Sequence, residues 1–93
     1  MGREEDLAAI RGELKELLVE RLSLENVTAD QIEDDAPLFG DGLGLDSLDA
    51  VEIIVILQRY YKIDVKEIKK GDKLFGSVSL MAEYILENRP QGS

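Results

Sequence analysis

Chemistry in this chain must be built without a thiol or an imidazole, because its 93 residues include no Cys and no His. That removes structural disulfides, CxxC redox chemistry, thiolate nucleophiles, imidazole metal ligands and the commonest general base. What remains are carboxylates, hydroxyls, Lys, or a group the chain does not encode. The densest set of candidates is LFGDGLGLDSLDA, from Leu38 to Ala50. Gly40, Gly42 and Gly44 alternate there, but no GK[ST] follows and no strand precedes them, so flexible backbone before a helix fits better than a nucleotide loop. Asp41, Asp46 and Asp49 have neither the spacing nor the closing Glu of a calcium loop. Ser47 has no His to activate it, and no triad can be built around it. On residue types alone, Ser47 is a hydroxyl at a helix start that satisfies backbone donors.

The carboxylates are distributed unevenly. Between Arg21 and Arg59 there is no Lys or Arg, while Glu25, Asp30, Glu33, Asp34, Asp35, Asp41, Asp46, Asp49 and Glu52 supply nine negative charges, equal to the formal net charge of -9. The rest of the chain is neutral in sum. Nucleic acid and anionic membrane are poor partners for such a segment, whereas a basic patch on another protein is attracted to it. The approach to Ser47, lined by Asp41, Asp46, Asp49 and Glu52, calls for Lys or Arg around the entrance of any enzyme that reaches it.

The elements that must position these residues are helical. Leu7, Ile10, Leu14, Leu17, Leu18 and Arg21 recur at helical spacing and predict a first helix over 4–22, with Gly12 as its weak point. A long connection follows, with a Thr28–Gln31 capping box around one short turn, and Pro37 ends regular structure again. Leu38, Phe39, Leu43 and Leu45 read as a loop held on the core. Asp46 to Tyr60 is the second helix, with Asp46 as N-cap and Asp49 adding charge to the first turn. Ile53, Leu57 and Tyr61, with Ala50 and Ile54, form a core ridge, and Leu48, Val51 and Val55 form a second. Val65 and Ile68 anchor a short helical piece closed by Gly71. Ser77 caps a last helix with Val78, Met81, Ala82, Ile85 and Leu86 inward, ended by Asn88 and Pro90. The expected fold is all-α: a small four-helix bundle of three main helices and one short one, with a long loop between the first two, forming a single domain over 1–93 with its helical core about 4–88. The first ten residues hold three acids and no long apolar run, so no signal peptide or membrane span is expected and the expected compartment is the cytoplasm.

The segment Asp46-Ser47-Leu48-Asp49-Ala50-Val51-Glu52-Ile53 resembles the attachment motif of the acyl carrier protein family, usually written DSLxxVEL, with Ile53 replacing Leu. Leu38-Phe39 through Leu43-Gly44-Leu45 is similar to the loop that leads into that Ser, Tyr61 falls where the family often has Phe, and Val65 falls at an apolar anchor. The resemblance implies a carrier without catalytic turnover, bearing 4'-phosphopantetheine through a phosphodiester at Ser47. Asp46 would then help to place Ser47 for a phosphopantetheinyl transferase. Asp41, Leu48, Asp49, Val51, Glu52 and Val55 would form the partner surface, for acyl-loading, condensing and tailoring enzymes with basic docking surfaces. Cargo stays open among fatty-acid, polyketide or related specialised acyl groups. The alternatives are an aminoacyl or peptidyl carrier and, outside the carriers, an unmodified acidic adaptor. The chain departs from common fatty-acid carriers at Gln58, Arg59, Tyr60 and Lys62, and Lys66, Lys69, Lys70 and Lys73 make the following region basic where those carriers stay acidic.

Overall fold

A first helix, α1, runs over Arg3–Arg21, with Glu4, Glu5 and Asp6 in its first turn and Arg21 in its last, the sense that complements the helix dipole. In the computed structural model, which describes residues 2–25, 27–39, 42–66, 68–69 and 72–89, α1 is followed by a 3-10 turn at Ala29–Gln31, α2 at Ser47–Tyr61, a second 3-10 turn at Lys73–Phe75 and α3 at Val78–Asn88. The chain is thus an all-α bundle of three main helices with short 3-10 turns between them. None of the helices is long and apolar enough, among the described residues, to cross a membrane.

The helices form where the apolar spacing places them. Leu7, Ile10, Leu14 and Leu18 bury one face of α1, and Val78, Met81, Ala82 and Ile85 bury one face of α3. α1 and α3 form the most extensive helix pair. In α2 the ridge of Ala50, Ile53, Leu57 and Tyr61 faces the core as its spacing predicts, with Ile54 half-buried beside it. Ile56, assigned to neither ridge by the sequence, is also buried. Lys62 adopts a left-handed conformation (φ 57, ψ 34) and ends α2, and the Ile63 N–H returns to the Leu57 carbonyl at 3.2 Å.

One expectation is corrected. The short helical piece expected at Val65 and Ile68 is not there: Val65, Lys66 and Ile68 are non-helical, joined by a single turn in which Ile68 N–H donates to the Val65 carbonyl. The residues that make the short helical turn are Lys73–Phe75, where Leu74 and Phe75 are buried. Asp64 and Asp72 order the stretch locally: their carboxylates accept the Lys66 and Lys69 backbone N–H groups at 3.0 and 2.9 Å. Gly71, expected to close the piece, and Pro90 lie outside the described residues.

Polar ties, besides the Arg3–Glu87 pair between α1 and α3, fix the helices to one another and to the long loop. Asp34 lies 2.6 Å from Lys15 Nζ through Oδ1 and 3.4 Å from Arg11 Nε through Oδ2, and its carbonyl accepts the Ser79 N–H at 2.8 Å. One of the nine central acids is therefore compensated by bases of α1, and the same residue holds the loop to α3. Arg21 donates to the Tyr60 hydroxyl at 2.7 Å and lies over that ring, 5.4 Å from its centroid. Tyr61 donates its hydroxyl to Glu13 Oε1 at 3.0 Å, joining α2 to α1.

Burial, and then the Glu13 carboxylate, push the Tyr61 phenol well above its ordinary value of 10.0. Because the folded protein keeps this proton while the unfolded chain releases it, the contribution is complete below pH 10 and is lost as the pH rises further. Between about pH 9 and pH 11 the melting temperature should fall more steeply for the wild type than for Tyr61→Phe, as followed by thermal melts. Parallel slopes would contradict this assignment.

Candidate functional site

Ser47 is the first residue of α2, and three features upstream determine where it stands. Gly44 has φ 75, a left-handed backbone that favours glycine and turns the loop toward the helix start. Leu38 and Leu45 are buried, the Leu45 N–H donates to the Leu38 carbonyl at 3.3 Å, and Phe39 pairs with Leu45 as an isolated parallel bridge. The Phe39 ring meets Phe75 edge to face, with centroids 6.1 Å apart and planes at 88°. These contacts pin the loop just before the helix, as the irregular apolar spacing predicts.

Asp46 then caps the helix. Its backbone is extended, and its Oδ1 accepts the N–H groups of Leu48 and Asp49 at 3.0 and 3.2 Å. Asp49 reciprocates by accepting the Asp46 N–H on Oδ2 at 3.0 Å. The pair is a capping box made of two aspartates in place of the usual Ser or Thr with Glu. The sequence located Asp49 in the first turn but missed this second half of the box. The D-x-x-D spacing was the available signal.

With the Leu48 and Asp49 N–H groups held by Asp46, capping does not call on the Ser47 hydroxyl. It is exposed and makes no hydrogen bond to another described residue. Ser77 shows the opposite case in the same fold. It is buried, precedes α3 and accepts the Leu80 N–H on its hydroxyl at 3.2 Å. Of two serines at helix starts, one is spent on capping and one is presented to solvent.

The other expected site residues gather on the first two turns beyond Ser47. Leu48, Val51, Glu52 and Val55 follow at spacings of three, four and seven and share one helix face. Leu48 is 79% and Val51 44% exposed, too much for core residues, whereas Val55 and Glu52 are half-buried. Asp46 is exposed and Asp49 half-buried. Asp41 lies outside the described residues. The site is thus a free hydroxyl at a helix start, rimmed by carboxylates and followed by an apolar strip open to solvent.

A family model described as the phosphopantetheine attachment site matches residues 12–69, more than half of the chain and inclusive of Ser47. The acyl carrier protein of Wolinella succinogenes is 31% identical over 81 residues, which cover 87% of this chain and 99% of the relative. The chain belongs to the acyl carrier protein family. Two further members are similar: an acyl carrier protein of Campylobacter fetus subsp. fetus, 32% identical over 77 residues (83% of this chain, 92% of the relative), and one of a Sulfurovum species, 36% identical over 59 residues (63% and 73%). Acyl carrier proteins are non-catalytic, so this chain carries a group and is not an enzyme. Membership also accounts for the lack of Cys and His, since an acyl carrier protein needs neither a nucleophile nor a base of its own.

Proposed function

We propose that this carrier is modified with 4'-phosphopantetheine on Ser47 and delivers acyl intermediates to enzymes of fatty-acid, polyketide or related specialised biosynthesis. The observation that carries the reading is the exposed Ser47 hydroxyl, which has no hydrogen-bond partner among the described residues because Asp46 caps α2. The bound group supplies a thiol that holds the acyl chain as a thioester. The residues present fit it: a phosphodiester on Ser47 displaces no hydrogen bond, and its charge lies at the positive end of a 15-residue helix. Asp46, by fixing the first turn, fixes the direction from which a phosphopantetheinyl transferase meets Ser47.

Partners approach along the negative rim. Asp41, Asp46, Asp49 and Glu52 attract Lys and Arg around an enzyme's entrance, which speeds and orients a transient encounter more than it tightens it. Leu48, Val51 and Val55 give such a partner an apolar contact beside the attachment point.

The direct test is intact mass after incubation with a broad-specificity phosphopantetheinyl transferase and coenzyme A. The expected result is a gain of one phosphopantetheinyl group, with a peptide map placing it on Ser47. An unchanged mass would reject the carrier reading in favour of an unmodified acidic adaptor.

A further inference from the structure

Nine of the ten described bases of this acidic protein fall into two groups, and Arg89, after α3, belongs to neither. All four on α1 are engaged: Arg3 with Glu87, Arg11 with Glu4 and Asp34, Lys15 with Asp34, and Arg21 with Tyr60. Arg59, Lys62, Lys66, Lys69 and Lys73 are exposed, and none forms an ion pair or a side-chain hydrogen bond with another described residue. A molecule of net charge -9 has acids to spare, so five bases in one short stretch with no ion pair to a described residue need a cause.

The local fold supplies it. Between α2 and the second 3-10 turn the chain alternates between anchors and outward residues. Ile63 is buried and Val65 and Ile68 are half-buried, while Lys62, Lys66 and Lys69 are exposed. The two described acids among them are spent on backbone, Asp64 on the Lys66 N–H and Asp72 on the Lys69 N–H. Arg59 and Lys62 bring the end of α2 onto the same stretch, and Tyr60, 46% exposed, adds an aromatic edge. Residues 59–73 hold six bases and three acids, against nine acids and no base between Arg21 and Arg59.

We infer that this basic stretch is a second docking surface, which receives a discrete acidic patch on a partner protein. Ser47 and Lys62 are separated by about 22 Å along α2 at the rise of a helix, more than twice the Debye length of about 8 Å at physiological salt. The acids around Ser47 are therefore screened from the bases at the far end of α2, while Glu13, Glu16 and Glu20 of α1 lie beside Tyr60 and Tyr61 and bound the basic stretch on that side. A protein whose surface is basic near the thioester and acidic one helix-length away meets both ends in one orientation only. A membrane or a nucleic acid offers uniform negative charge, which the acidic end repels. The inference goes beyond modification of Ser47 and does not depend on it, so it is tested on the unmodified full chain.

The experiment is a titration of isotope-labelled protein, followed by amide NMR, with an octaglutamate peptide as the acidic probe. Octalysine, duplex DNA and phosphatidylglycerol vesicles serve as comparisons. Octaglutamate should move amides of 59–73 and leave 46–55 still, octalysine should do the reverse, and both responses should shrink as salt rises. Arg59→Gln with Lys62→Gln and Lys66→Gln should weaken octaglutamate binding at least tenfold while octalysine still moves the amides of 46–55. Absence of octaglutamate shifts in 59–73, or tighter binding of vesicles or DNA than of the peptide, would overturn the inference. So would salt-sensitive self-association at the probe concentration, which would make a second copy of the chain the occupant.

Discussion

Ser47→Ala is expected to abolish the phosphopantetheinyl mass gain completely while leaving the melting temperature nearly unchanged. The two halves of that expectation have separate causes. Loss of the oxygen removes the hydroxyl on which the proposed phosphodiester would form. Stability is spared because the Leu48 and Asp49 N–H groups are held by Asp46, and the Ser47 hydroxyl has no hydrogen bond to another described residue to lose. Exposed substitutions of this kind stay within about 0.5 kcal/mol. Asp46→Ala provides the contrast, since it frees the Leu48 and Asp49 backbone donors and leaves only the bond from the residue 46 N–H to Asp49 Oδ2. It should cost about 1 kcal/mol, a fall of roughly 4–8 °C in a domain of this size. Intact mass and far-UV circular dichroism melts on the three proteins settle both points. A mass gain persisting in Ser47→Ala would move the attachment elsewhere, and a large drop in its melting temperature would show that the hydroxyl supports the fold.

How much of this arrangement was legible in the sequence depended on whether its cause was local. α1 and α3 were readable because their apolar and polar positions separate cleanly, and their N- and C-terminal charges or caps agree with the periodicity. The Asp46 cap was readable for the same reason. α2 was harder to divide into faces, because VEIIVIL is apolar almost throughout. Val51 emerges exposed and Ile56 buried, and only packing against the other helices decides which is which. The Val65–Ile68 segment reads as helix because its apolar spacing matches one turn, yet the two residues are half-buried in a non-helical stretch, and hydropathy does not distinguish these cases. Contacts distant in sequence could not be read at all. Asp34 counted as one more unpaired acid until Arg11 and Lys15 were seen beside it, and the unpaired state of the bases after Arg59 is a property of where the acids point. The hydroxyl at Ser47 shows the same limit: its residue type suggested capping, and the competition that Asp46 wins is geometric.

The loop before Ser47 supplies the second large effect, through one glycine whose replacement should act opposite to that of another. Gly12 sits on the exposed face of α1, and a Cβ there would meet nothing within 4 Å. Its only contribution is backbone freedom in the unfolded chain, so Gly12→Ala should stabilise by about 0.5–1 kcal/mol, roughly 5 °C. Gly42 is also exposed, yet a Cβ there would overlap the backbone carbonyl of Pro37, and no side-chain rotation can move that group aside. Relief requires the segment from Pro37 to Leu45 to shift, against anchors at Leu38 and Leu45 that are buried and bonded to each other. Gly42→Ala should therefore cost about 2 kcal/mol, a fall of roughly 10 °C. Because this segment runs into Asp46, the same substitution should slow modification of Ser47 even at temperatures where the protein is fully folded, whereas Gly12→Ala should be modified at the wild-type rate. Melting curves and initial rates of mass gain on the two variants test the whole chain of cause, from loop packing through the helix start to the hydroxyl. Equal shifts of melting temperature in the two variants would remove the close approach at Pro37 as the reason for glycine at position 42. Unchanged modification in a destabilised Gly42→Ala would show that the loop supports the fold without setting the presentation of Ser47.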